Sequence, residues 1–119
     1  MTLRCVIVDD DEAFLHVARA TLERGGLVVA GVAGNGAEAA ERARALRPDV
    51  VLIDIRLGEE SGFDVARQLA DNARGPALIM ISTDAWEDYA DLIAESPTAG
   101  FLAKTELSAA AIRRILAMD

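Results

Sequence analysis

The chain has 119 residues, which is the length of one domain of ordinary size. Its apolar content of 52% is enough for a hydrophobic core and excludes a disordered chain. Twelve Lys and Arg against 20 Asp and Glu give a net charge of −8, which argues against direct binding to nucleic acid or to an anionic membrane.

The apolar runs are short, and acidic residues interrupt the longest of them. Because Asp54 and the acidic stretch 9–11 break these runs, no segment predicts a membrane span. The first apolar run, 5–8, is too short for a signal peptide. The single cysteine, Cys5, excludes an internal disulfide and predicts a buried, inert thiol. We therefore expect one soluble, cytoplasmic domain over residues 1–119.

Apolar runs alternate with helix-favouring segments along the chain. In chain order, the predicted strands are residues 6–8, 27–33, 50–53, 77–81 and 99–103. The predicted helices that follow them are 13–24, 38–46, a helix from an N-cap at Ser61 to 70, a helix from a capping box at Asp84 and Glu87 to 95, and 107–118. Five strand–helix units predict an α/β fold with a doubly wound, five-stranded parallel sheet and helices on both faces.

The predicted strands end in polar residues, in chain order Asp9, Asp10 and Asp11, then Asp54, then Ser82 and Thr83, then Lys104. Because the carboxyl ends of parallel strands share one edge of the sheet, we expect these side chains to converge. Carboxylates repel one another, so a cation is expected among them, and oxygen ligands favour Mg²⁺. Mg²⁺, an ammonium and a hydroxyl together can neutralise a transferring phosphoryl group, and a carboxylate can accept it. Asp54 is the best candidate for that nucleophile.

Each of these residues also has a purely structural interpretation. One of the three aspartates at 9–11 is expected to cap the first helix in that interpretation. Asp54 would be a turn residue, Ser82 a structural hydroxyl and Lys104 a solvated charge. The joint pattern, in this order and at the ends of these strands, favours phosphoryl chemistry over four unrelated structural roles.

Four segments of the sequence resemble the receiver domains of bacterial two-component response regulators. VIVDDDEAFL resembles the opening strand with its acidic pair, and RPDVVLIDIRLGEESGFDVARQL resembles the segment around the phosphoacceptor, including the glycine eight residues later, Gly62. ALIMIST resembles the strand with the switch Ser or Thr, and AGFLAKTEL resembles the strand with the Lys. The resemblance covers essentially the whole chain. It implies a flavodoxin-like strand order 2-1-3-4-5 and a signalling phosphoacceptor that catalyses only its own phosphorylation and dephosphorylation.

The resemblance implies a role for each residue at the strand ends. Asp54 would accept the phosphoryl group from a phosphohistidine on a sensor histidine kinase or a phosphotransfer protein. Lys104 would pair with the phosphoryl oxygens. The ligands of Mg²⁺ would be Asp9, Asp10, Asp54 and the backbone carbonyl of Arg56.

The same resemblance implies a switch and a control of access. Ser82 would move to hydrogen-bond the acyl phosphate, while Phe101 would turn inward. Thr83 stands where a small Ala is usual, so we expect it to narrow access to the acyl phosphate. Arg56 and Asp84 would join Thr83 in setting how fast water reaches it.

Two departures from the family pattern carry expectations of their own. Leu57 and Gly58 replace the usual Met-Pro after the phosphoacceptor, so we expect a looser loop with unchanged chemistry. Thr105 replaces the Pro that usually follows the Lys, and we expect it to cap the last helix.

Two other families have to be weighed. The pair Asp9 and Asp11 after an apolar strand also fits a haloacid-dehalogenase-like phosphatase, in which Asp9 and not Asp54 would be phosphorylated. Ala13 and the short chain argue against that alternative. A flavodoxin-like cofactor binder is disfavoured because three carboxylates would repel a bound phosphate.

The sequence also supports an expectation about the output of such a receiver, that is, how it passes on its signal. We expect a stand-alone receiver that signals to an unknown protein target, with the receiver half of a longer DNA-binding transcription regulator as the alternative. The predicted fourth helix is acidic, and the stretch 84–103 contains no Lys or Arg. In the family this helix, the fifth strand and the fifth helix form the signalling face, so the acidic side chains either select a partner or form only a solvated surface, and the same face is the candidate surface for a homodimer.

Overall fold

The computed structural model describes residues 2–70 and 75–117. Its main sheet contains five strands, which are β1 (Arg4–Val8), β2 (Val28–Ala33), β3 (Val50–Asp54), β6 (Ala77–Ser82) and β7 (Gly100–Ala103). A separate two-stranded hairpin follows β3 and consists of β4 (Arg56–Leu57) and β5 (Glu60–Ser61). The main sheet is parallel throughout, in the order β2-β1-β3-β6-β7. Counted along this sheet alone, that order is 2-1-3-4-5, so the predicted doubly wound topology is confirmed.

Within residues 2–70 and 75–117, five helices cover the sheet, namely α1 (Glu12–Arg24), α2 (Gly36–Leu46), α3 (Gly62–Ala70), α4 (Ala90–Glu95) and α5 (Ala109–Ala117). Short 3₁₀ turns precede α4 at Trp86–Tyr89 and follow β7 at Lys104–Glu106. The predicted end of the last helix at Met118 lies outside the described residues. Within the two described stretches, no helix is long and apolar enough to cross a membrane.

The three inner strands, β1, β3 and β6, are buried on both faces and divide the core in two. Val6 and Val8 of β1 face α2 and α3, whereas Cys5 and Ile7 of the same strand face α1 and α5. This arrangement explains why the strands are continuous apolar runs, since a parallel sheet covered on both sides has no wet face. Cys5 is fully buried, which confirms its predicted burial, and that burial raises the pKa of its thiol to about 11; its inertness stays a prediction.

The predicted capping box at Asp84 and Glu87 is wrong. The chain enters the segment through the 3₁₀ turn, no side chain caps that turn at Ala85, and α4 itself begins only at Ala90. The Asp84 carboxylate instead accepts a hydrogen bond from the Tyr89 hydroxyl at 2.8 Å. A side chain five residues further along the chain has therefore taken the carboxylate that the local pattern assigned to the helix terminus.

Two further local expectations are also wrong. Thr105 lies inside the second 3₁₀ turn, and Ser108 caps the last helix by accepting a hydrogen bond from the Ala111 N–H at 3.0 Å. The loop after β3 is not loose, because β4 and β5 pair across it. Gly58 makes the hairpin turn with φ at +58°, a conformation that favours glycine.

Gly62 fixes the position of the strand end that carries Asp54. Its N–H donates to the Ile55 carbonyl at 2.7 Å. A Cβ atom at position 62 would lie 2.0 Å from the Asp54 carbonyl oxygen, a distance at which the backbone must move. Only glycine therefore allows α3 to start this close to the end of β3.

Replacing Gly62 with Ala is expected to lower the free energy of unfolding by about 2–4 kcal/mol, because the clash is with backbone and cannot be relieved by a side-chain rotation. Urea unfolding followed by circular dichroism measures this change. Gly34→Ala is the matched control, since its nearest contact would be the flexible Glu38 carboxylate at 3.6 Å. A loss at Gly62 no larger than at Gly34 would contradict the steric argument.

Candidate functional site

Three aspartates meet at the carboxyl edge of the sheet. Val8 and Ile53 are register partners in β1 and β3, so the residues that follow them lie side by side. Asp9 is completely buried and Asp54 is 8% exposed, while Asp10 is exposed. One carboxylate oxygen from each of the three lies within 4.8 Å of the other two. The convergence predicted from the parallel topology is therefore observed for these residues.

Asp11 does not join this cluster. Its carboxylate caps α1 by accepting hydrogen bonds from the N–H groups of Ala13 at 3.0 Å and Phe14 at 3.3 Å. Its own N–H donates to Asp9 Oδ1 at 2.9 Å. The structural interpretation thus holds for one aspartate of the run and leaves Asp9 and Asp10 to the pocket.

The Lys104 ammonium reaches into the pocket from the end of β7. Its Nζ lies 2.6 Å from Asp9 Oδ2 and 3.3 Å from Asp54 Oδ2, and its side chain is only 12% exposed. The ammonium also lies 4.4 Å from the centroid of the Phe14 ring, a cation–π distance. Burial lowers the pKa of Lys104, but the contacts with Asp9 and Asp54 outweigh burial and hold that pKa above its ordinary value. Lys104 is therefore a fixed positive charge at neutral pH.

One ammonium does not neutralise the pocket. Burial, and then the neighbouring charge of Asp9, raise the pKa of Asp54 from 3.8 to about 6, against the opposing effect of Lys104. The N–H of Arg56 donates to Asp54 Oδ1 at 3.3 Å. This hydrogen bond lowers the pKa of Asp54 but offsets only part of the increase. Asp54 is thus a carboxylate whose charge is poorly stabilised by the protein alone.

The donor set fits a hard divalent cation. Although Asp9 Oδ2 is in ion-pair contact with Lys104, the geometry does not make a hydrogen bond, and this buried oxygen has no hydrogen-bond partner among the described residues. Together with the oxygens of Asp10 and Asp54, it offers the carboxylate ligands that Mg²⁺ prefers. The Arg56 carbonyl, expected from the sequence as a further ligand, stays a prediction.

Ser82 ends β6 and is 3% exposed. Its Oγ accepts a hydrogen bond from the Asp84 N–H at 3.0 Å, which leaves the hydroxyl proton available to another acceptor. The next residue, Thr83, is exposed. The structure therefore brings the predicted hydroxyl to the expected strand end, while its switch role stays a prediction.

Phe101 lies in β7 opposite Met80 of β6 and is half-buried. It packs against the core formed with α2 and α3. It also lines a surface cavity of about 490 Å³ together with Trp86 and Ile93. Phe101 thus has free volume beside it, and its inward turn stays a prediction.

Arg56, Asp84 and Tyr89 form a polar cluster beside the aspartates. Arg56 Nη2 lies 3.5 Å from Asp84 Oδ2, the same oxygen that accepts the Tyr89 hydrogen bond. That hydrogen bond raises the pKa of Tyr89 above its ordinary value. Arg56 and Asp84 are expected from the sequence, whereas Tyr89 is not, because no local pattern indicates a hydrogen bond between Asp84 and the last residue of the following 3₁₀ turn.

Residues 5–116 match the family model of the response regulator receiver domain. The chain belongs to this family. Membership decides against the phosphatase and the flavodoxin-like cofactor binder that were weighed from the sequence. Receiver domains are phosphoacceptor signalling domains of two-component systems, and they generally bind Mg²⁺ at an acidic pocket.

Curated relatives of this receiver domain include proteins with different outputs. It is 30% identical over 101 residues to the transcriptional regulatory protein PdtaR of Mycobacterium tuberculosis, a match that covers 84% of this chain and 47% of the relative. It is 36% identical over 83 residues to a protein-glutamate methylesterase/protein-glutamine glutaminase of Alkalilimnicola ehrlichii, covering 69% of this chain and 21% of the relative. The chain thus spans less than half the length of each of these two proteins.

Solved structures of receiver domains have the same fold. The signal receiver domain of a modulated diguanylate cyclase from Desulfovibrio desulfuricans is 31% identical with a TM-score of 0.82, covering 99% of this chain and 93% of the other. A response regulator from Burkholderia pseudomallei, solved with a phosphorylated aspartic acid, calcium ion and citrate, is 25% identical with a TM-score of 0.82. That match covers 98% of this chain and 67% of the other.

The raised pKa of Asp54 predicts a specific pH dependence of stability. A carboxyl whose pKa rises on folding binds more protons in the folded state, so its contribution to stability falls as pH rises from 3.8 to about 6. Asp54→Asn is therefore expected to raise the free energy of unfolding by about 1–3 kcal/mol at about pH 7.5 without Mg²⁺, and by clearly less at about pH 4.5. Urea titrations at the two pH values measure the difference.

Asp64→Asn serves as the control for charge removal, because the Asp64 side chain is 63% exposed and pairs only with Arg67 among the described residues. We expect that variant to change stability by less than about 0.5 kcal/mol at either pH. Mg²⁺ is expected to stabilise the wild type more than Asp54→Asn, since the variant loses a carboxylate ligand. An Asp54→Asn protein that is less stable than the wild type at about pH 7.5 would refute the charge argument.

Proposed function

We propose that this receiver domain accepts a phosphoryl group on Asp54 from a phosphohistidine of a sensor histidine kinase or a phosphotransfer protein. The observation that carries the proposal is the position of the Lys104 ammonium, 2.6 Å from Asp9 and 3.3 Å from Asp54 at one edge of a parallel sheet. A buried cation that contacts both carboxylates is suited to pair with phosphoryl oxygens once they arrive.

In the proposed transfer, an Asp54 carboxylate oxygen attacks the phosphorus atom and the P–N bond to the donor imidazole breaks, with the electron pair staying on nitrogen. Lys104 would pair with the oxygens of the incoming group. Asp9 and Asp10, with Asp54 and the Arg56 carbonyl, would hold Mg²⁺. When bound, Mg²⁺ supplies positive charge that favours ionised Asp54 and neutralises the phosphoryl oxygens.

The proposed switch involves Ser82 and Phe101. The Ser82 hydroxyl proton is not used in its hydrogen bond with Asp84, so this hydroxyl is able to donate to an acyl phosphate. Phe101 stands beside a cavity that offers room for a change of rotamer. These two features support a two-state shift driven by contacts that only the phosphorylated form makes.

The proposed output is contact with a protein target. The exposed acidic side chains of the α4 region favour a protein partner over nucleic acid, and they are Glu87, Asp88, Asp91 and Glu95. A homodimer through α4, β7 and α5 is the proposed alternative use of this face. We propose one receiver domain over residues 1–119 that works in the cytoplasm. Stand-alone action and its alternative, the receiver half of a DNA-binding transcription regulator, both stay predictions, since receiver relatives have several outputs.

Phosphorylation is tested by intact mass spectrometry after incubation with acetyl phosphate and Mg²⁺. We expect the wild type to gain one phosphoryl group, Asp54→Asn to gain none, and Asp10→Asn to gain it at least about tenfold more slowly because a metal ligand is lost. Asp11→Asn is the matched control, because it removes a neighbouring charge while Asn still caps α1.

A phosphoryl group found on any residue other than Asp54 would contradict the proposal. Equal slowing in Asp10→Asn and Asp11→Asn would show that only the general negative charge matters. If the wild type gains nothing from the small donor, beryllofluoride, a mimic of the phosphoryl group, provides the second test. Failure of beryllofluoride with Mg²⁺ to protect the wild type against unfolding would then reject the phosphoacceptor.

Thr83 provides a separate test of access. Thr83 is exposed directly after the Ser82 hydroxyl, so its β-branched side chain is expected to shield the acyl phosphate from water. Thr83→Ala is therefore expected to speed loss of the phosphoryl group by about twofold to tenfold, measured by the decay of the phosphorylated mass after the donor is removed. An unchanged rate would count against this role.

A further inference from the structure

Arg56 and Asp84 come from two different segments that flank the aspartate pocket, Arg56 from β4 of the hairpin and Asp84 from the loop after β6. Arg56 follows Asp54 by two residues, and Asp84 follows Ser82 by two residues. Their side chains meet at 3.5 Å and are 77% and 38% exposed. An exposed ion pair of this kind holds weakly by itself, since solvent competes for both charges. A further contact is therefore needed to keep the Arg56 and Asp84 side chains together.

Tyr89 supplies a second contact to the same carboxylate oxygen. Its hydroxyl donates to Asp84 Oδ2 at 2.8 Å. Its ring packs against Phe63 of α3, with ring centroids 6.4 Å apart, and Phe63 is 3% exposed. The ring is therefore held by the core while the hydroxyl reaches Asp84. This arrangement limits the positions that the Asp84 carboxylate can adopt.

The backbone of the same two residues reaches the reacting groups. The Arg56 N–H donates to Asp54 Oδ1 at 3.3 Å, and the Asp84 N–H donates to Ser82 Oγ at 3.0 Å. The orientation of Asp84 therefore affects two groups. It affects the position of the Arg56 side chain, which lies at the mouth of the pocket (the side of the aspartate pocket that is open to solvent), and it affects the hydrogen bond to the Ser82 hydroxyl. Tyr89 itself touches none of the aspartates of the pocket in the described contacts.

We propose that Tyr89 is a positioning residue that holds Asp84 against Arg56, so that this pair covers the mouth of the pocket and lengthens the lifetime of the phosphoryl group on Asp54. The inference rests on the proposed phosphorylation of Asp54. In the hydrolysis that it slows, a water oxygen attacks phosphorus and the bond from phosphorus to the Asp54 oxygen breaks. The electron pair stays on the carboxylate, and the proton lost by water passes to solvent.

Tyr89→Phe removes only the hydroxyl and keeps the ring against Phe63. We expect it to speed both uptake from acetyl phosphate and loss of the phosphoryl group by about threefold to tenfold, the value of one hydrogen bond. Uptake and decay are both measured by intact mass. An opened mouth raises both rates, whereas a loosened fold would reduce uptake, so the two rates separate positioning from a general structural role.

Two further variants complete the test. In an Asp84→Ala background, Tyr89→Phe is expected to have a clearly smaller effect, because the carboxylate that accepts the Tyr89 hydrogen bond is absent and only the neighbouring Arg56 remains. Ser96→Ala is the matched control, since it removes a hydroxyl that bonds the Ile93 carbonyl at the far end of α4, and both rates should remain those of the wild type.

Unchanged rates in Tyr89→Phe would overturn the inference while leaving phosphorylation of Asp54 intact. The same holds if Tyr89→Phe acts equally with and without Asp84, or if Ser96→Ala accelerates both rates as much. A wild type that takes up no phosphoryl group and ignores beryllofluoride would overturn the proposed function, and this inference with it.

Discussion

A single ammonium shared by two carboxylates is the interaction on which this molecule depends. Lys104 comes from the last strand of the sheet, whereas Asp9 and Asp54 end its first and third strands, so their contact requires the whole sheet to be assembled. Removing the Lys104 charge would leave Asp9 and Asp54 buried without their cation, whereas removing the Asp54 charge would relieve its repulsion with Asp9. One positive charge against these two carboxylates and Asp10 still leaves the pocket acidic. The imbalance explains why the site suits a divalent cation and does not simply close as an ion pair.

Backbone geometry supplies the second constraint. The carboxyl edge of the sheet can carry Asp54 at its observed position only because α3 starts directly against the Asp54 carbonyl, where no Cβ atom fits. The hairpin of β4 and β5 occupies the space between β3 and α3 and directs Arg56 toward Asp84. Electrostatics therefore determines the charge that the pocket can accept, while close backbone packing determines where Asp54 lies.

Much of this arrangement could be predicted from the sequence, because a parallel sheet converts the order of strand ends into proximity. Asp9, Asp54 and Lys104 follow apolar runs whose period and length are unambiguous, so their convergence follows from topology alone. The failures lie in segments without such a period. Asp84 has the local pattern of a helix cap, yet a hydrogen bond from the Tyr89 hydroxyl, five residues further along the chain, takes its carboxylate. The hairpin after Asp54 consists of strands of two residues each, which are too short to leave a pattern.

Cys5, the only thiol of the chain, has a practical consequence. It lies fully buried in the inner strand β1, which pairs with β2 on one side and β3 on the other. Because the Cys5 thiol is expected to ionise and react only when the sheet opens, its rate of alkylation in native buffer reports global unfolding. A cysteine introduced at the surface would meanwhile be the sole thiol of the folded protein that a thiol reagent can reach. Spectroscopic labels can therefore be attached at one chosen position without first removing the native residue.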